Sequence, residues 1–375
     1  MKKIKDICAF YPKSKIKAGE GMSSGKYPFY TSSSILNKYL DFYNYESEGI
    51  ILGTGGNASI HYCKEKFSVS TDCLVMYSKN DEIINEYLYY YLLNNIHILE
   101  NGFRGAGLKH ISKKYIEDID VNYIPNKLTQ EKIIQTIKLA EVSIDKRKKQ
   151  IEILDELVKS RFIEMFGDPV LNPLNWGKEC LKDITTKIGS GATPKGGNSS
   201  YKEEGIYLIR SMNIYNNKFI NKDLAFIDDE QAKKLRNVTI EENDVLLNIT
   251  GASVARCCIV PNEYIPARVN QHVAILRCKY EQIVPNFLCY QLTNEIYQRL
   301  LWDVATSGGA TREAITKQQI ENLEVIVPPI ELQNQFADFV KQVDKLKFDM
   351  EKSLKELEDN FNSLMQKAFK GELFN

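Results

Sequence analysis

Two stretches of the chain carry apolar residues at every seventh position, one over residues 137–165 and one over residues 336–364. A seven-residue period keeps apolar side chains on one seam of a gently supercoiled helix pair. The sequence therefore predicts two long helices that pack against each other, although each could instead pack only on its own domain. The predicted seam residues are Ile137, Ile144, Ile151, Val158, Met165, Phe336, Val343, Met350, Leu357 and Leu364.

Short apolar runs typical of strands precede each long helix, together with one helical stretch near residues 83–99 and another near residues 283–304. This mixture predicts α/β or α+β modules, and periodicity alone leaves the strand order open. The turn-rich segment GDPVLNPLNWG predicts a linker after the first long helix. The expected organisation is a first domain over residues 1–127, a helix over 128–167, a linker over 168–177, a second domain over 178–330 and a second helix over 331–375.

The two halves of the chain repeat each other in the same order. A series of matched segments argues for two copies of one structural unit, where a single match would mean little. The matched segments are IKDI with LKDI, YPFYTSS with IYLIRSM, IILGTGGNAS with VLLNITGAS, STDCLVMY with VNQHVAIL, NEYLYYYLLNN with PNFLCYQLTNE, and GAGLKHISKKYIEDIDV with GATREAITKQQIENLEV.

Composition places the chain among soluble globular proteins with more than one core, because it has 375 residues, 43% of them hydrophobic. Lys plus Arg equals Asp plus Glu at 49 each, which excludes binding of polyanions through bulk charge but allows a local basic face. Neither a signal-type start nor an apolar run of ~20 residues is found, so we expect a cytoplasmic protein with no membrane partner.

The eight cysteines form no C-x-x-C pair, and the four histidines lack metal-site spacing, so we expect free thiols and no metal. The segment GTGGNA fits a loose dinucleotide-binding pattern, but the alternating residues after it indicate a strand where that fold needs a helix. Phosphate-loop, nucleophile-elbow and H-E-x-x-H signatures are also missing from the sequence. The duplicated module therefore has the character of a binding protein.

The polar loops of both halves combine glycine turns with amide, hydroxyl and basic side chains. Arg and Lys pair with guanine acceptors, Asn and Gln pair with adenine, and all can contact phosphates. Each residue by itself could equally be part of an ordinary polar loop. The candidate DNA-binding residues are Lys26, Tyr30, Asn57, Ser59, Arg104, Lys109, His110, Thr193, Lys195, Arg210, Ser211, Asn213, Ser253, Arg256, Asn270, Gln271, Thr311 and Arg312.

The second half carries a family resemblance in GSGATPKGGNSSYKEEGIYLIRSMNI, DVLLNITGAS, VNQHVAIL and TSGGATREAITKQQIENLEVIVPPIELQNQF. With these segments the chain resembles the specificity subunit of type I restriction–modification systems. The first half departs from the pattern, because residues 22–33 lack the GSG-x-TP-K signature. The resemblance implies two similar target-recognition domains in a pseudo-two-fold arrangement, separated by two long antiparallel coiled-coil helices.

The resemblance also implies a function. Each domain would read one half of a bipartite, asymmetric site in double-stranded DNA, and the helices would fix the number of unread base pairs. Two methylation subunits would bind this chain and carry S-adenosylmethionine for N6-adenine methylation, and restriction subunits would use ATP and Mg. The chain itself would hold no catalytic residue and no cofactor. The alternatives are a stand-alone DNA methyltransferase or nuclease with fused target-recognition domains, and a coiled-coil scaffold that binds proteins.

Overall fold

A computed structural model describes residues 1–79, 81–194, 196–307 and 313–374, with only the backbone of Asn198. The chain divides into two compact units. Unit 1 comprises Met1–Lys149 and Lys352–Asn375, and unit 2 comprises Gln150–Glu351. Each unit therefore contains one globular module together with a part of both long helices.

The first module contains a four-stranded antiparallel sheet of order β2-β8-β5-β6, a three-stranded sheet β4-β3-β7 and the pair β1-β9. Strands β3 and β7 run parallel. The elements are β1 (Lys2–Lys3), α1 (Ile4–Ile7), β2 (Cys8–Phe10), β3 (Tyr27–Tyr30), β4 (Tyr39–Leu40), β5 (Gly49–Gly53), β6 (Ile60–Cys63), β7 (Ser68–Val69), β8 (Cys73–Ser78), α2 (Asn85–Asn94), α3 (Ile96–Glu100), α4 (Lys113–Glu117) and β9 (Asp120–Val121).

The first long helix is α5 (Lys127–Phe166), and the second module follows it. This module has a four-stranded sheet β11-β19-β16-β17, a three-stranded sheet β15-β12-β18 and the pairs β10-β20 and β13-β14. Its elements are β10 (Lys178–Cys180), α6 (Leu181–Ile184), β11 (Thr185–Ser190), β12 (Ile206–Ile209), β13 (Ile214–Tyr215), β14 (Lys218–Phe219), β15 (Ala225–Ile227), α7 (Asp229–Lys234), β16 (Val245–Asn248), β17 (Cys257–Ile259), β18 (Ala267–Val269), β19 (Val273–Cys278), α8 (Pro285–Leu292), α9 (Glu295–Thr306), α10 (Lys317–Glu321) and β20 (Glu324–Ile326).

The two modules share one topology down to the strand register, which confirms the duplication. Ile50 of β5 lies opposite Met76, and the matching Val245 of β16 lies opposite Leu276. The second module adds the hairpin β13-β14 and helix α7.

The strand register corrects the match of STDCLVMY with VNQHVAIL by a single residue. The N–H of Ser70 donates to the carbonyl of Tyr30, and the N–H of Asn270 donates to the carbonyl of Ile209. Ser70 therefore corresponds to Asn270, whereas the sequence match pairs Ser70 with Val269.

One inner strand of each large sheet, β5 in the first module and β16 in the second, is buried on both faces. Ile50 and Leu52 point into one apolar cluster and Ile51 into another, as expected from the alternation of side chains along a strand. The second module repeats the pattern, with Val245 in one cluster and Leu246 in another. Burial on both faces explains why these strands appear in the sequence as continuous apolar runs.

The helical stretch predicted in each module, near residues 83–99 and 283–304, consists of two helices, α2 with α3 and α8 with α9. In the second module, Asn294 starts a new helix, since its side-chain oxygen accepts from the N–H groups of Ile296 and Tyr297 at 3.0 and 3.4 Å. In the first module, Asn95 leaves helical geometry with a ψ of 35°, and its amide donates to the carbonyl of Tyr91 at 2.8 Å.

The long helices are α5, with 40 residues, and α11 (Ile330–Lys370), with 41 residues. At ~1.5 Å per residue each is about 60 Å long. In unit 1, Ile137 near the start of α5 shares a core with Phe369 near the end of α11. In unit 2, Phe162 near the end of α5 packs on Phe336 near the start of α11. The two helices therefore contact each other in antiparallel fashion in both units.

The predicted seam residues are all shielded from solvent to some degree. Ile137, Ile144, Val158, Phe336 and Val343 are buried, whereas Ile151, Met165, Met350, Leu357 and Leu364 are half-buried. Large buried residues outside the seven-residue series also lie in the apolar cores that the helices share with the modules. These are Ile133, Phe162, Phe166, Val340 and Phe369.

The segment after α5 is a turn held by hydrogen bonds within unit 2. Gly167 ends the helix with a φ of 72°, and the indole N–H of Trp176 donates to the carbonyl of Phe166 at 3.0 Å. All eight cysteines are free thiols, and those outside positions 63 and 180 are buried. Within the described part of the chain, none of the helices is both long and apolar enough to span a bilayer.

Candidate nucleic-acid interface

In the first module, two hydroxyl groups hold the turn between β5 and β6. Ser32 Oγ and Thr54 Oγ1 both donate to the carbonyl oxygen of Asp72, at 2.7 and 2.9 Å. Gly56 has a φ of 83°, a conformation that favours glycine. The turn presents Asn57 with its side chain exposed to solvent.

A second loop lies directly beside this turn. Arg104 and His110 pair through two backbone hydrogen bonds of 2.9 Å and so close the loop between them. The N–H of Gly56 donates to the carbonyl of Lys109 at 2.9 Å, and His110 Nδ1 lies 3.2 Å from the carbonyl of Thr54. The structure therefore brings the side chains of Asn57, Arg104, Lys109 and His110 onto one exposed surface.

The second module builds the same junction with different side chains. Gly251 has a φ of 71°, and its N–H donates to the carbonyl of Glu313 at 2.9 Å. The N–H of Ile315 donates to the carbonyl of Ile249 at 2.8 Å, as that of Ile111 does to Thr54 in the first module. These backbone contacts equate Glu313 with Lys109 of the first module.

A chain of side-chain contacts orients Gln271 at the turn between β18 and β19. Thr193 Oγ1 donates to the carboxamide oxygen of Gln271, and Gln271 Nε2 lies 3.0 Å from His272 Nε2. His272 Nδ1 in turn lies 2.5 Å from Thr250 Oγ1. A tautomer protonated at Nδ1 satisfies both contacts, since Gln271 then donates to the ring and the ring donates to Thr250. Gln271 itself is exposed.

Two candidate arginines stack on aromatic rings and are half-buried. The Arg210 guanidinium lies 5.4 Å from the ring of Tyr201 and donates through Nη2 to the carbonyl of Asp223. The Arg256 guanidinium lies 4.4 Å from the ring of Tyr215. Stacking fixes the plane of a guanidinium while leaving its edge able to donate hydrogen bonds.

Four candidate residues are buried, and they support the loops from within. Ser59 donates to the carbonyl of Ser32 at 3.1 Å, and Asn213 donates to the carbonyls of Ile220 and Lys222 at 3.0 Å. Asn270 accepts from the N–H of His272 at 3.0 Å. Burial raises the pKa of the Tyr30 phenol well above its usual value.

The remaining candidates are distributed as follows. Lys26 precedes β3, whereas Ser32 follows it, so a full strand separates Lys26 from the loop junction. Its Nζ lies 5.4 Å from the ring of Tyr27. Ser211 accepts at its carbonyl from Asn248 Nδ2 at 2.9 Å, and Ser253 lies in the turn after Gly251. Lys195, Thr311 and Arg312 lie outside the described residues.

Sequence reasoning missed the residues that hold the loops in place, namely Ser32, Thr54, Thr250 and His272. The three hydroxyl residues, Ser32, Thr54 and Thr250, stand one or two positions after a strand end, where a hydroxyl can bond to a neighbouring backbone group. Their hydrogen-bond partners come from distant parts of the sequence, so only a weak local signal marks them.

A groove of about 660 Å³ adjoins the loop junction of the first module. It is lined by Phe10, Tyr11, Lys13, Thr54, His110 and Lys113, among others. The Lys113 ammonium lies 4.7 Å from the ring of Phe10. Basic and aromatic groups side by side suit the phosphates and bases of a nucleic acid. Over the described residues, His, Cys, Asp and Glu side chains form no cluster that could hold a metal ion.

Known proteins share the duplicated domain and the fold of this chain. The family model described as "Type I restriction modification DNA specificity domain" matches residues 1–154 and 173–359. The chain is 23% identical over 373 residues to the MjaVIII specificity subunit of Methanocaldococcus jannaschii, an alignment that covers 93% of this chain and 86% of that protein. It is also 23% identical over 359 residues to the EcoBI specificity subunit of Escherichia coli, covering 87% and 74%.

The fold is that of solved specificity subunits. The crystal structure of the S subunit from M. genitalium matches with a TM-score of 0.62 at 16% identity, over 98% of this chain and 95% of that one. A structure from work on complex assembly of the type I R-M system matches with a TM-score of 0.61 at 16% identity, over 99% and 97%. The alternative of a stand-alone methyltransferase or nuclease gains no support from these relatives. The chain belongs to the type I restriction–modification DNA specificity family and is a non-catalytic specificity subunit.

Proposed function

We propose that each module reads one half of a bipartite, asymmetric site in double-stranded DNA. One observation carries this proposal, namely that the two modules repeat the same backbone junction with different side chains. Lys109 corresponds to Glu313 and Asp72 to His272, because each pair makes the same backbone hydrogen bonds. A common scaffold with exchanged side chains is what two readers of different base sequences require, since base edges are distinguished by their donors and acceptors.

We assign direct contact with DNA to the candidates that are not buried. In the first module these are Asn57, Arg104, Lys109 and His110, and in the second they include Gln271 and the half-buried Thr193, Ser253 and Arg256. Lys195, Thr311 and Arg312 belong to the same proposal, as do Lys26, Arg210 and Ser211. The buried Tyr30, Ser59, Asn213 and Asn270 would act by shaping the loops that carry the contacts. Phosphate contacts would set the register, and base contacts would select the sequence.

Catalysis would belong to partner subunits, and this chain would only select the adenine. Two methylation subunits would carry S-adenosylmethionine and turn the target adenine out of the DNA stack. Restriction subunits would supply ATP and Mg chemistry, and the complex would act in the cytoplasm. Two features support this division of labour. The chain belongs to the specificity family, and its fold is similar to that of a protein solved in work on complex assembly of the type I R-M system.

The long helices would fix the number of base pairs left unread between the two half-sites. Their continuity supports this role, because α5 and α11 run without interruption for 40 and 41 residues. A helix is stiff over such a length, so it can transmit a fixed distance and rotation.

Exchange of the second module tests the proposal most directly. The chain is expressed with its methylation subunit, and methylated adenines are mapped by genome sequencing. Residues 178–330 are then replaced by the corresponding segment of a relative with a different motif. We expect a split N6-adenine motif in which the exchange alters one half and leaves the other half and the spacing unchanged.

The control exchanges only helix α7, an element that the first module lacks, and keeps the rest of the second module. That variant should keep the original motif, because α7 is outside the loop junction. An unchanged motif after the exchange of residues 178–330 would contradict the role of the second module. DNA methylation or cleavage by the purified chain alone, with S-adenosylmethionine or Mg²⁺, would overturn the division of labour.

A further inference from the structure

A buried glutamine stands in the first turn of α5. Gln130 is 0% exposed. Its Nε2 donates to the carbonyls of Glu82 and Ile124 at 2.9 and 2.7 Å, and its Oε1 accepts from the N–H of Ile84 at 2.8 Å. One carboxamide thereby joins the long helix to two other chain segments, the loop that leads into α2 and the segment that enters α5.

The same contacts recur at the start of α11. Gln333 is also 0% exposed. Its Nε2 donates to the carbonyls of Gln282 and Pro328 at 3.1 and 2.8 Å, and its Oε1 accepts from the N–H of Val284 at 2.9 Å. Both donors and the acceptor of the amide are therefore used in the same way in both units, although the surrounding side chains differ.

The contacts of these glutamines are directional, which distinguishes them from the apolar packing between module and helix. Apolar packing is non-directional, so apolar side chains alone would allow small rotations of the module about the helix. Three hydrogen bonds to backbone groups on two segments oppose such rotations, because hydrogen bonds weaken steeply with angle. A buried carboxamide has no water that could replace these partners. Breaking one of its hydrogen bonds therefore leaves a buried polar group unpaired, which is costly.

We infer that Gln130 and Gln333 are positioning residues that fix the angle between each module and its helix, and with it the spacing at which the two half-sites are accepted. This inference rests on the proposed function of bipartite DNA recognition. The residues would touch no base and no phosphate themselves. They would act through the module, by preventing it from tilting to reach a half-site that is one base pair too near or too far.

The test is spacer tolerance. The methylated motif of the wild-type complex is determined first, and plasmids are then built with its two half-sites at the native spacing and at one base pair more or less. Methylation of these plasmids by Gln130→Met and by Gln333→Met is compared with that by the wild-type chain, each with the methylation subunit present. Met keeps the length of the side chain but cannot donate hydrogen bonds. Gln135→Met and Gln342→Met, on exposed positions of the same helices, are the matched controls.

We expect the discrimination between native and altered spacing to fall about tenfold or more in Gln130→Met and Gln333→Met, and to stay at the wild-type level in the controls. The bases read in each half-site should not change. A purely structural role would lower the amount of active complex equally at all spacings. Strict spacing in both variants, with methylation reduced uniformly or unchanged, would therefore overturn the inference.

Milder variants keep the test valid where the Met variants do not fold. Gln130→Asn and Gln333→Asn keep an uncharged carboxamide but are one methylene shorter, so they cannot make all three backbone hydrogen bonds at once. Relaxed spacing in these variants supports the inference, and strict spacing contradicts it. A wild-type complex without any two-part motif would instead refute the proposed function, and this result is distinguishable because it precedes any substitution.

Discussion

A buried carboxylate, Asp244, ties together two strands of the second module. Its side chain is 0% exposed, and Arg277 donates to it through Nε and Nη2, both at 2.8 Å. Arg277 also donates through Nη2 to the carbonyl of Thr239 at 3.1 Å. Asp244 additionally accepts from the N–H of Glu241 at 2.7 Å. The pair therefore fixes the turn before β16 against β19, at the end of these two strands opposite to the loop junction.

Replacing Arg277 with Ala should destabilise the protein strongly. The substitution leaves the Asp244 carboxylate buried without a cation, which costs about 3–5 kcal/mol. Urea unfolding followed by circular dichroism measures the loss. Arg236→Ala, at an exposed position of the same module, is the control and should change the unfolding free energy by less than ~0.5 kcal/mol. Equal stability of the Arg277 and Arg236 variants would contradict this account of the ion pair.

The two joints between module and long helices differ in chemistry, although the elements are equivalent. In unit 1, buried Glu86 of α2 pairs with Lys138 of α5 at 2.6 Å, and Tyr90 donates to Glu141 at 2.7 Å. Burial raises the pKa of the Glu141 carboxyl. In unit 2 the corresponding joint is an aromatic cluster, in which Phe336 meets Phe162 with ring centroids 5.4 Å apart.

Loss of the Phe336 ring should loosen the joint of unit 2. This side chain is 0% exposed and also contacts Phe166 and Tyr290, so Phe336→Ala should cost about 3–5 kcal/mol. Thermal and urea unfolding check this value. Phe348→Ala is the matched control on the same helix, because that ring is 67% exposed and its removal leaves no cavity. A larger loss for Phe348→Ala would show that the cluster does not hold the joint.

At the scale of the whole molecule, the folding units do not follow the linear domains. Unit 2 is one continuous segment, Gln150–Glu351, whereas unit 1 needs Lys352–Asn375 from the other end of the chain. That segment supplies Met365, Ala368 and Phe369 to the core of unit 1, where Phe369 meets the rings of Tyr87 and Tyr91. Without it, one side of this core would be open to water.

We therefore expect two fragments to behave differently. Residues 150–351 should fold alone and unfold cooperatively, since their apolar clusters are internal to the segment. Residues 1–149 should need an added peptide of residues 352–375 before they show a cooperative thermal transition in circular dichroism. A peptide with Phe369→Ala is the control and should restore less stability. Cooperative unfolding of residues 1–149 without any peptide would contradict the division into these units.

The sequence by itself determined the features that depend on local periodicity and on repetition. The seven-residue series predicted both long helices, with α5 beginning at Lys127 where residue 128 was expected and α11 at Ile330 where residue 331 was expected. The matched segments predicted two modules of one topology, and the motifs of the second half indicated the family. These signals lie within short stretches, so no knowledge of distant contacts was needed.

Only the tertiary structure decided which strands pair, which loop residues face solvent and how the helices are shared. Tyr30, Ser59 and Asn57 are all candidate DNA-binding residues in the sequence, yet the fold buries Tyr30 and Ser59 and leaves Asn57 exposed. Gln130 and Gln333 resemble ordinary polar residues of a helix until two of the three partners of each, more than forty positions away, are seen. Such pairings depend on the closure of long loops, and the free energy of that closure is set by the whole fold.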